Sequence, residues 1–79
     1  MGNEHKYLQY LVVIERADDG SYSAYVPDLP RCVACGQNTP EQAKELIREA
    51  IDVHIRGMIE DGDPVPEPVS KAEYVDAVA

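Results

Sequence analysis

Hydrophobic and polar positions alternate along the first part of the chain with the two-residue period of a β-strand. Residues 7–14 are rich in β-branched and aromatic side chains, which suit a pleated surface. One face of this strand carries Leu8, Tyr10, Val12 and Ile14, and the other carries Tyr7, Leu11 and Val13. Because both faces are apolar, we predict a central strand or one whose second face is covered.

The next stretch predicts a hairpin and a second strand. Asp18, Asp19 and Gly20 form an Asp-Gly turn, since these residue types tolerate the left-handed backbone that tight hairpins require. Residues 21–26 alternate again and are expected to pair antiparallel with the first strand.

A proline-braced corner follows the second strand. Pro27 and Pro30 lack backbone N–H donors and end the ladder, and Leu29 between them is expected to anchor the corner in the core. Residues 32–35 then predict a short third strand, which Gly36 closes.

The hydrophobic period changes to that of an amphipathic helix at residue 40. Thr39 is a suitable N-cap, Pro40 suits the first helical position, Gln42 can complete a capping box, and Gly62 is expected to end the helix. The apolar stripe of this helix comprises Ala43, Leu46, Ile47, Ala50, Ile51, His54, Ile55, Met58 and Ile59. One face of the helix is therefore predicted to pack on the sheet.

The last part of the chain predicts a connector and a fourth strand. Residues 63–69 contain three prolines and are expected to be extended, and residues 74–78 alternate like a short strand. The pattern as a whole predicts a single α+β domain over residues 1–79. In it, a small antiparallel sheet in the order β-β-β-α-β is covered on one face by one long helix, and residues 1–6 form a flexible N-terminus.

One helix can cover only one face of such a sheet, and the opposite face is also apolar. Exposed apolar patches commonly mark interfaces. We therefore predict a homodimer or higher homo-oligomer that associates through Tyr7, Leu11, Val13 and Tyr25.

Charge excludes some functions and favours others. The 79 residues carry a formal net charge of −8, which repels phosphate backbones and argues against direct binding of nucleic acid. The same charge suits a basic protein partner, although charge alone is more simply explained by ordinary solubility. We expect a cytoplasmic protein, because neither a signal peptide nor an apolar stretch long enough to cross a membrane is present.

Candidate chemical motifs are few. Cys32 and Cys35 match the C-x-x-C spacing of metal knuckles and redox pairs, but two residues three apart on a strand point to opposite faces. His54 lacks a nucleophile or carboxylate at a recognisable spacing, which favours a structural histidine over a general base. We predict no catalytic residues, no metal and no cofactor.

The segments described above resemble the HicB antitoxin family. The resemblance spans about residues 10–68 and includes Asp19-Gly-Ser-Tyr-Ser-Ala-Tyr-Val-Pro-Asp-Leu-Pro, then Cys32, Gly36, Thr39-Pro-Glu-Gln-Ala, and Asp61-Gly-Asp-Pro-Val-Pro. It implies a truncated RNase H-like fold and an antitoxin that masks the active surface of HicA, a small basic mRNA-cleaving toxin. The partner-binding residues expected on this basis are Asp18, Asp19, Asp28, Arg31, Glu60, Asp61 and Asp63.

Two departures from the family pattern change what the resemblance implies. Arg31 stands where the family corner has glycine, so it is either strained, if that position needs a positive φ, or placed to contact a partner. Eleven residues follow Pro68, too few for the DNA-binding domain that many HicB proteins carry, so DNA binding is not expected. An orphan homo-oligomeric module and a residual metal-dependent nuclease remain as alternatives, and the second is disfavoured by the lack of a carboxylate in the middle of the first strand.

Overall fold

The computed structural model describes residues 7–79, in which three strands precede one long helix. The strands are β1 (Val13–Arg16), β2 (Tyr22–Tyr25) and β3 (Val33–Gln37), and the helix is α1 (Pro40–Asp61). The sheet is antiparallel in the order β1-β2-β3. The predicted α+β class and the antiparallel sheet with a single long helix are confirmed, whereas the prediction for residues 1–6 lies outside the described residues.

The first strand begins later than its sequence predicts. Val13 pairs with Tyr25 and Arg16 pairs with Tyr22, so β1 extends only as far as β2 provides a partner. Residues 8–12 precede this ladder and have no strand assignment, although their sequence is typical of one. The physical reason is the corner after β2, whose prolines cannot continue the hydrogen-bonded ladder.

The third strand continues past the glycine that was expected to close it. Tyr22 pairs with Gln37 and Ala24 pairs with Ala34, so β3 contains one extra residue between these pairs. Gly36 has a φ of 76° at this irregularity. A glycine with left-handed backbone is the residue that such a β-bulge uses, and here it extends the strand by bending it.

The ends of α1 confirm the predicted capping residues. The Gln42 N–H donates to Thr39 Oγ1 at 3.0 Å, and the Gln42 side-chain oxygen accepts from the Asn38 N–H at 3.1 Å, one residue before the expected partner. At the other end Gly62 is left-handed. The N–H groups of Gly62 and Asp63 donate to the carbonyls of Ile59 and Met58, which is the Schellman arrangement.

The core lies between the sheet and the first half of the helix. Leu29 and Ile47 are its largest fully buried side chains, so the prediction that Leu29 anchors the corner is confirmed. The remaining buried core residues are Ala24, Val26, Cys32, Ala34 and Ala43. A helix of 22 residues is about 33 Å long and a five-residue strand about 17 Å, so the second half of α1 extends past the sheet. Ile59, in this overhang, is 64% exposed.

The predicted fourth strand at residues 74–78 is wrong for this structure. Residues 63–79 contain no strand, and residues 71–79 are all exposed. A strand needs a neighbour that completes its backbone hydrogen bonds, and no neighbouring strand is paired with this segment in the described part of the chain. The proline-rich connector before it, residues 63–69, has neither helix nor strand.

Candidate partner-binding surfaces

The predicted partner-binding residues lie at two opposite ends of the sheet. Helix α1 runs antiparallel to β3, because Gln37 lines a groove with Glu41 whereas Arg31 lines one with His54. The end of α1 and the β2–β3 corner therefore share one end of the sheet, and the β1–β2 hairpin lies at the other. Asp18 and Asp19 belong to the hairpin end, and Asp28, Arg31, Glu60, Asp61 and Asp63 belong to the corner end.

At the hairpin end, Asp19 holds the turn together. Its Oδ1 accepts from the Ser21 N–H at 2.9 Å and from the Ser21 hydroxyl at 2.7 Å. These hydrogen bonds to Ser21 lower the pKa of the Asp19 carboxyl below its usual value. The Asp19 carboxylate thus stabilises the hairpin turn, and the side chain of Asp18 beside it is exposed.

At the corner end, Asp28 binds the segment that follows the helix. Its Oδ2 accepts from the backbone N–H groups of Val69 and Ser70, both at 2.9 Å, and its Oδ1 accepts from the Ser70 hydroxyl at 2.8 Å. Hydrogen bonds from Ser70, and then from Val69, lower the pKa of the Asp28 carboxyl. We call this set of three hydrogen bonds the Asp28 clasp. It joins residues about forty positions apart.

Tyr10 adds a second attachment for the connector. The Tyr10 hydroxyl donates to the Pro66 carbonyl at 2.5 Å. Burial raises the pKa of Tyr10, and the nearby carboxylates of Glu67 and Asp28 raise it further, which keeps the hydroxyl protonated and able to donate. The clasp and this bond together hold residues 66–70 against Tyr10, which precedes β1, and against the corner between β2 and β3.

Arg31 adopts the conformation that its family position suggested. Its φ is 70°, and it is the one non-glycine residue with a positive φ in the described chain. The N–H groups of Leu29 and Cys32 donate to the carbonyls of Val26 and Leu29, and these two turns direct the corner through Arg31. The corner therefore imposes the left-handed backbone at Arg31. The arginine side chain is exposed there.

Three carboxylates lie at the C-terminal end of α1, where the helix dipole makes negative charge unfavourable. Glu60, Asp61 and Asp63 are exposed, and the last turn of α1 contains no basic residue. The C-terminal end of a helix dipole is negative, so acids placed there are unfavourable for the helix. No residue of the described chain forms an ion pair with them. These three carboxylates, which we call the helix-end acids, remain available to a cationic partner.

The face of the sheet away from α1 carries an apolar row. Val13 pairs with Tyr25, and Tyr25 pairs with Val33, so the three side chains are neighbours across all three strands. Tyr25 is 39% and Val33 56% exposed. Sequence reasoning placed Val13 and Tyr25 here and missed Val33, which its alternation with the buried Cys32 and Ala34 could have revealed. Leu11 and Tyr7 precede β1, outside the paired strands.

The candidate chemical residues Cys32, Cys35 and His54 line one groove between β3 and α1. Cys32 is buried, which raises the pKa of its thiol, whereas Cys35 is exposed. His54 is half-buried in the groove between β3 and α1. Over residues 7–79, no three His, Cys, Asp or Glu side chains come together in a group that could hold a metal ion.

Within the same residues, no helix combines the length and apolar character that a bilayer crossing requires.

These surfaces define a class of protein: a small α+β module whose exposed features, acidic helix end and apolar sheet face, suit contact with other macromolecules. A family model described as HicB-like antitoxin of bacterial toxin–antitoxin systems matches residues 10–78. The chain belongs to this family. The members of this family are described as antitoxins of bacterial toxin–antitoxin systems.

Individual relatives agree with this assignment. A UPF0150 protein of Synechocystis is 40% identical over 58 residues, which are 73% of this chain and 72% of that protein. Antitoxin HicB 1 of Photorhabdus laumondii is 33% identical over 73 residues, 90% of this chain and 46% of that protein. An uncharacterised 14.9 kDa protein of Haemophilus phage HP1 is 37% identical over 68 residues, 86% of this chain and 50% of that protein. The chain thus spans about half the length of the last two.

Proposed function

We propose that this protein neutralises a HicA-type toxin, a small basic RNase, by binding over its active surface in the cytoplasm. The observation that carries this proposal is the set of helix-end acids in a chain of the HicB-like antitoxin family. They are exposed, they have no ion-pair partner in the described chain, and they stand where the helix dipole disfavours them. A basic partner would convert this unfavourable charge into attraction.

Contacts within the fold guide which of the predicted residues we assign to the toxin-binding surface. Asp19 and Asp28 use their carboxylates within the fold, so replacing them would disturb the hairpin and the connector as well as any contact. The helix-end acids and Arg31 share one end of the sheet and have exposed side chains. We therefore assign the primary contact to that end, and Asp18 at the hairpin end to a lesser role.

The test is binding to a purified HicA-type RNase. One variant combines Glu60→Gln, Asp61→Asn and Asp63→Asn. The matched control combines Glu45→Gln, Glu49→Gln and Asp52→Asn, which removes the same number of charges from the middle of the helix. We expect calorimetry to show at least a tenfold higher dissociation constant for the helix-end variant, about 1.4 kcal/mol, with weaker salt dependence. Equal affinities of the two variants would contradict the assignment.

An orphan homo-oligomeric module is the second candidate function. The apolar row of Val13, Tyr25 and Val33 favours it, because exposed apolar patches of this kind commonly form interfaces. We propose this row as the self-association surface. It includes Val13 and Tyr25 from the four residues predicted from sequence, adds Val33, and leaves Leu11 and Tyr7 at its margin. A protein that self-associates but has no measurable affinity for HicA-type RNases would favour the orphan module over the antitoxin.

A further inference from the structure

Two segments of this chain have strand sequences but no strand partner. Residues 8–12 alternate and lead directly into β1, and residues 74–78 alternate after the connector. Both are unpaired in the described chain, and β1 is an edge strand of the sheet. Unpaired edges with apolar side chains are sites at which another strand adds.

The edge formed by residues 8–14 borders an apolar groove. Tyr10, Val12 and Ile14 line it from the strand side, and Ile47 and Ile51 line it from the helix. The charged residues that line this groove, which we call the β1 groove, are Lys44, Arg48 and Asp52. Two of the three are basic in a chain with a net charge of −8, so the groove is unsuited to a basic toxin and suits an acidic apolar strand.

The segment after the clasp has that chemistry. Residues 71–79 are exposed throughout, and Tyr74, Val75 and Val78 are at least 86% exposed. Alternation places Tyr74, Asp76 and Val78 on one face, an acid between two apolar side chains. We call residues 71–79 the tail. The radius of gyration, 15.0 Å, exceeds the roughly 12 Å of a compact domain of this length, in agreement with an extended tail.

We propose that the tail of one copy adds as a strand to the β1 groove of a second copy, and that the exchange is reciprocal. Tyr74 and Val78 enter the apolar part of the groove, and Asp76 faces Lys44 and Arg48. The clasp fixes Ser70 at the corner, the prolines at 64, 66 and 68 stiffen the connector, and residues 71–79 beyond it are exposed. This surface is distinct from the helix-end acids and does not depend on the toxin.

Charge reversal with complementation tests the exchange. The groove variant combines Lys44→Glu and Arg48→Glu, and the tail variant is Asp76→Lys. Each alone places like charges opposite each other, but a mixture pairs both groove–tail contacts with opposite charges. The readout is hydrogen exchange at residues 8–12 and 74–78, with the amides of α1 as the folding control.

The expected result is protection that depends on the second copy. In the wild type, exchange at both segments should slow at least about tenfold between low and high micromolar concentration. Each variant alone should lose this protection, and the mixture should regain it. Protection that does not vary with concentration, and that mixing does not restore, would mean that the tail pairs within its own chain and would overturn the proposal. The absence of protection in the wild type at every concentration would overturn it as well.

Discussion

Arg31 shows how one residue can conflict with the backbone that its neighbours impose. Hydrogen bonds among Val26, Leu29 and Cys32 close the corner, and the buried Leu29 anchors it, so the backbone at position 31 is left-handed whatever its side chain. A residue with a Cβ is strained there by about 1–2 kcal/mol. An arginine at such a strained position is a candidate contact residue.

Replacing this arginine by glycine should stabilise the protein. We expect Arg31→Gly to raise the free energy of unfolding by about 0.5–1 kcal/mol, since relief of the strain exceeds the extra chain entropy of glycine. Thermal unfolding should show a midpoint roughly 2–8 °C higher.

Arg31→Ala is the matched control, because it removes the side chain but keeps the Cβ. An equal gain for alanine and glycine would show that the strain is not in the backbone. Measuring both variants against the toxin separates the contribution of Arg31 to stability from its contribution to binding.

At the scale of elements, the connector after α1 is held by side chains rather than by a strand ladder. The Asp28 clasp supplies three hydrogen bonds and Tyr10 one, which replace the backbone pairing that a fourth strand would have made. The helix itself is defined locally, by Thr39 at its start and Gly62 at its end. The helix, whose ends are set by local caps, has the boundaries predicted from sequence. The first strand and the predicted fourth strand, which need a distant partner, do not.

The clasp should open in acid. The folded-state pKa of Asp28 lies below its usual 3.8, so the clasp contributes its full stability above that value and loses it as the pH falls through the lower folded-state pKa. We expect the NMR amide signals of Val69 and Ser70 to shift below about pH 4 towards those of an unstructured chain.

Asp28→Ala should show the released positions at every pH. Asp19→Ala is the comparison, since it removes a carboxylate whose pKa is also lowered but which holds the hairpin instead. Val69 and Ser70 signals that follow the pH identically in the wild type and in Asp28→Ala would contradict this role.

At the scale of the whole molecule, the one helix and three strands of residues 7–79 leave one sheet face without a cover from the described part of the chain. The row of Val13, Tyr25 and Val33 crosses that face. It lies away from the groove that borders the free edge of β1, so the two surfaces can be tested separately.

Val33→Glu should weaken self-association through the apolar row, because it places a charge in an apolar contact. We expect analytical ultracentrifugation to show at least a tenfold higher dissociation constant, about 1.4 kcal/mol, for this step. Ile59→Glu, at a similarly exposed apolar residue on the helix overhang, is the control and should leave the step unchanged. If the Asp76→Lys variant, which lacks the tail exchange, stayed monomeric at every concentration, the row would not be an interface.

The sequence by itself determined the features that depend on neighbours within a few residues. Alternation identified which side chains of the first strand face the helix, the 3.6-residue period identified α1, and Thr39, Pro40 and Gly62 defined its ends. Leu29 was identified as the corner anchor for the same reason, since the prolines on either side restrict its backbone.

Only the tertiary structure decided what depends on contacts between distant residues. The start of β1, the unpaired state of residues 74–78, and the use of Asp28 within the fold all follow from which segments meet. Sequence patterns could not separate a carboxylate that closes a clasp from one that faces solvent, because both are short acidic side chains in loops. Backbone hydrogen bonds need a partner strand, and a period-two pattern states a preference for one without specifying where it lies.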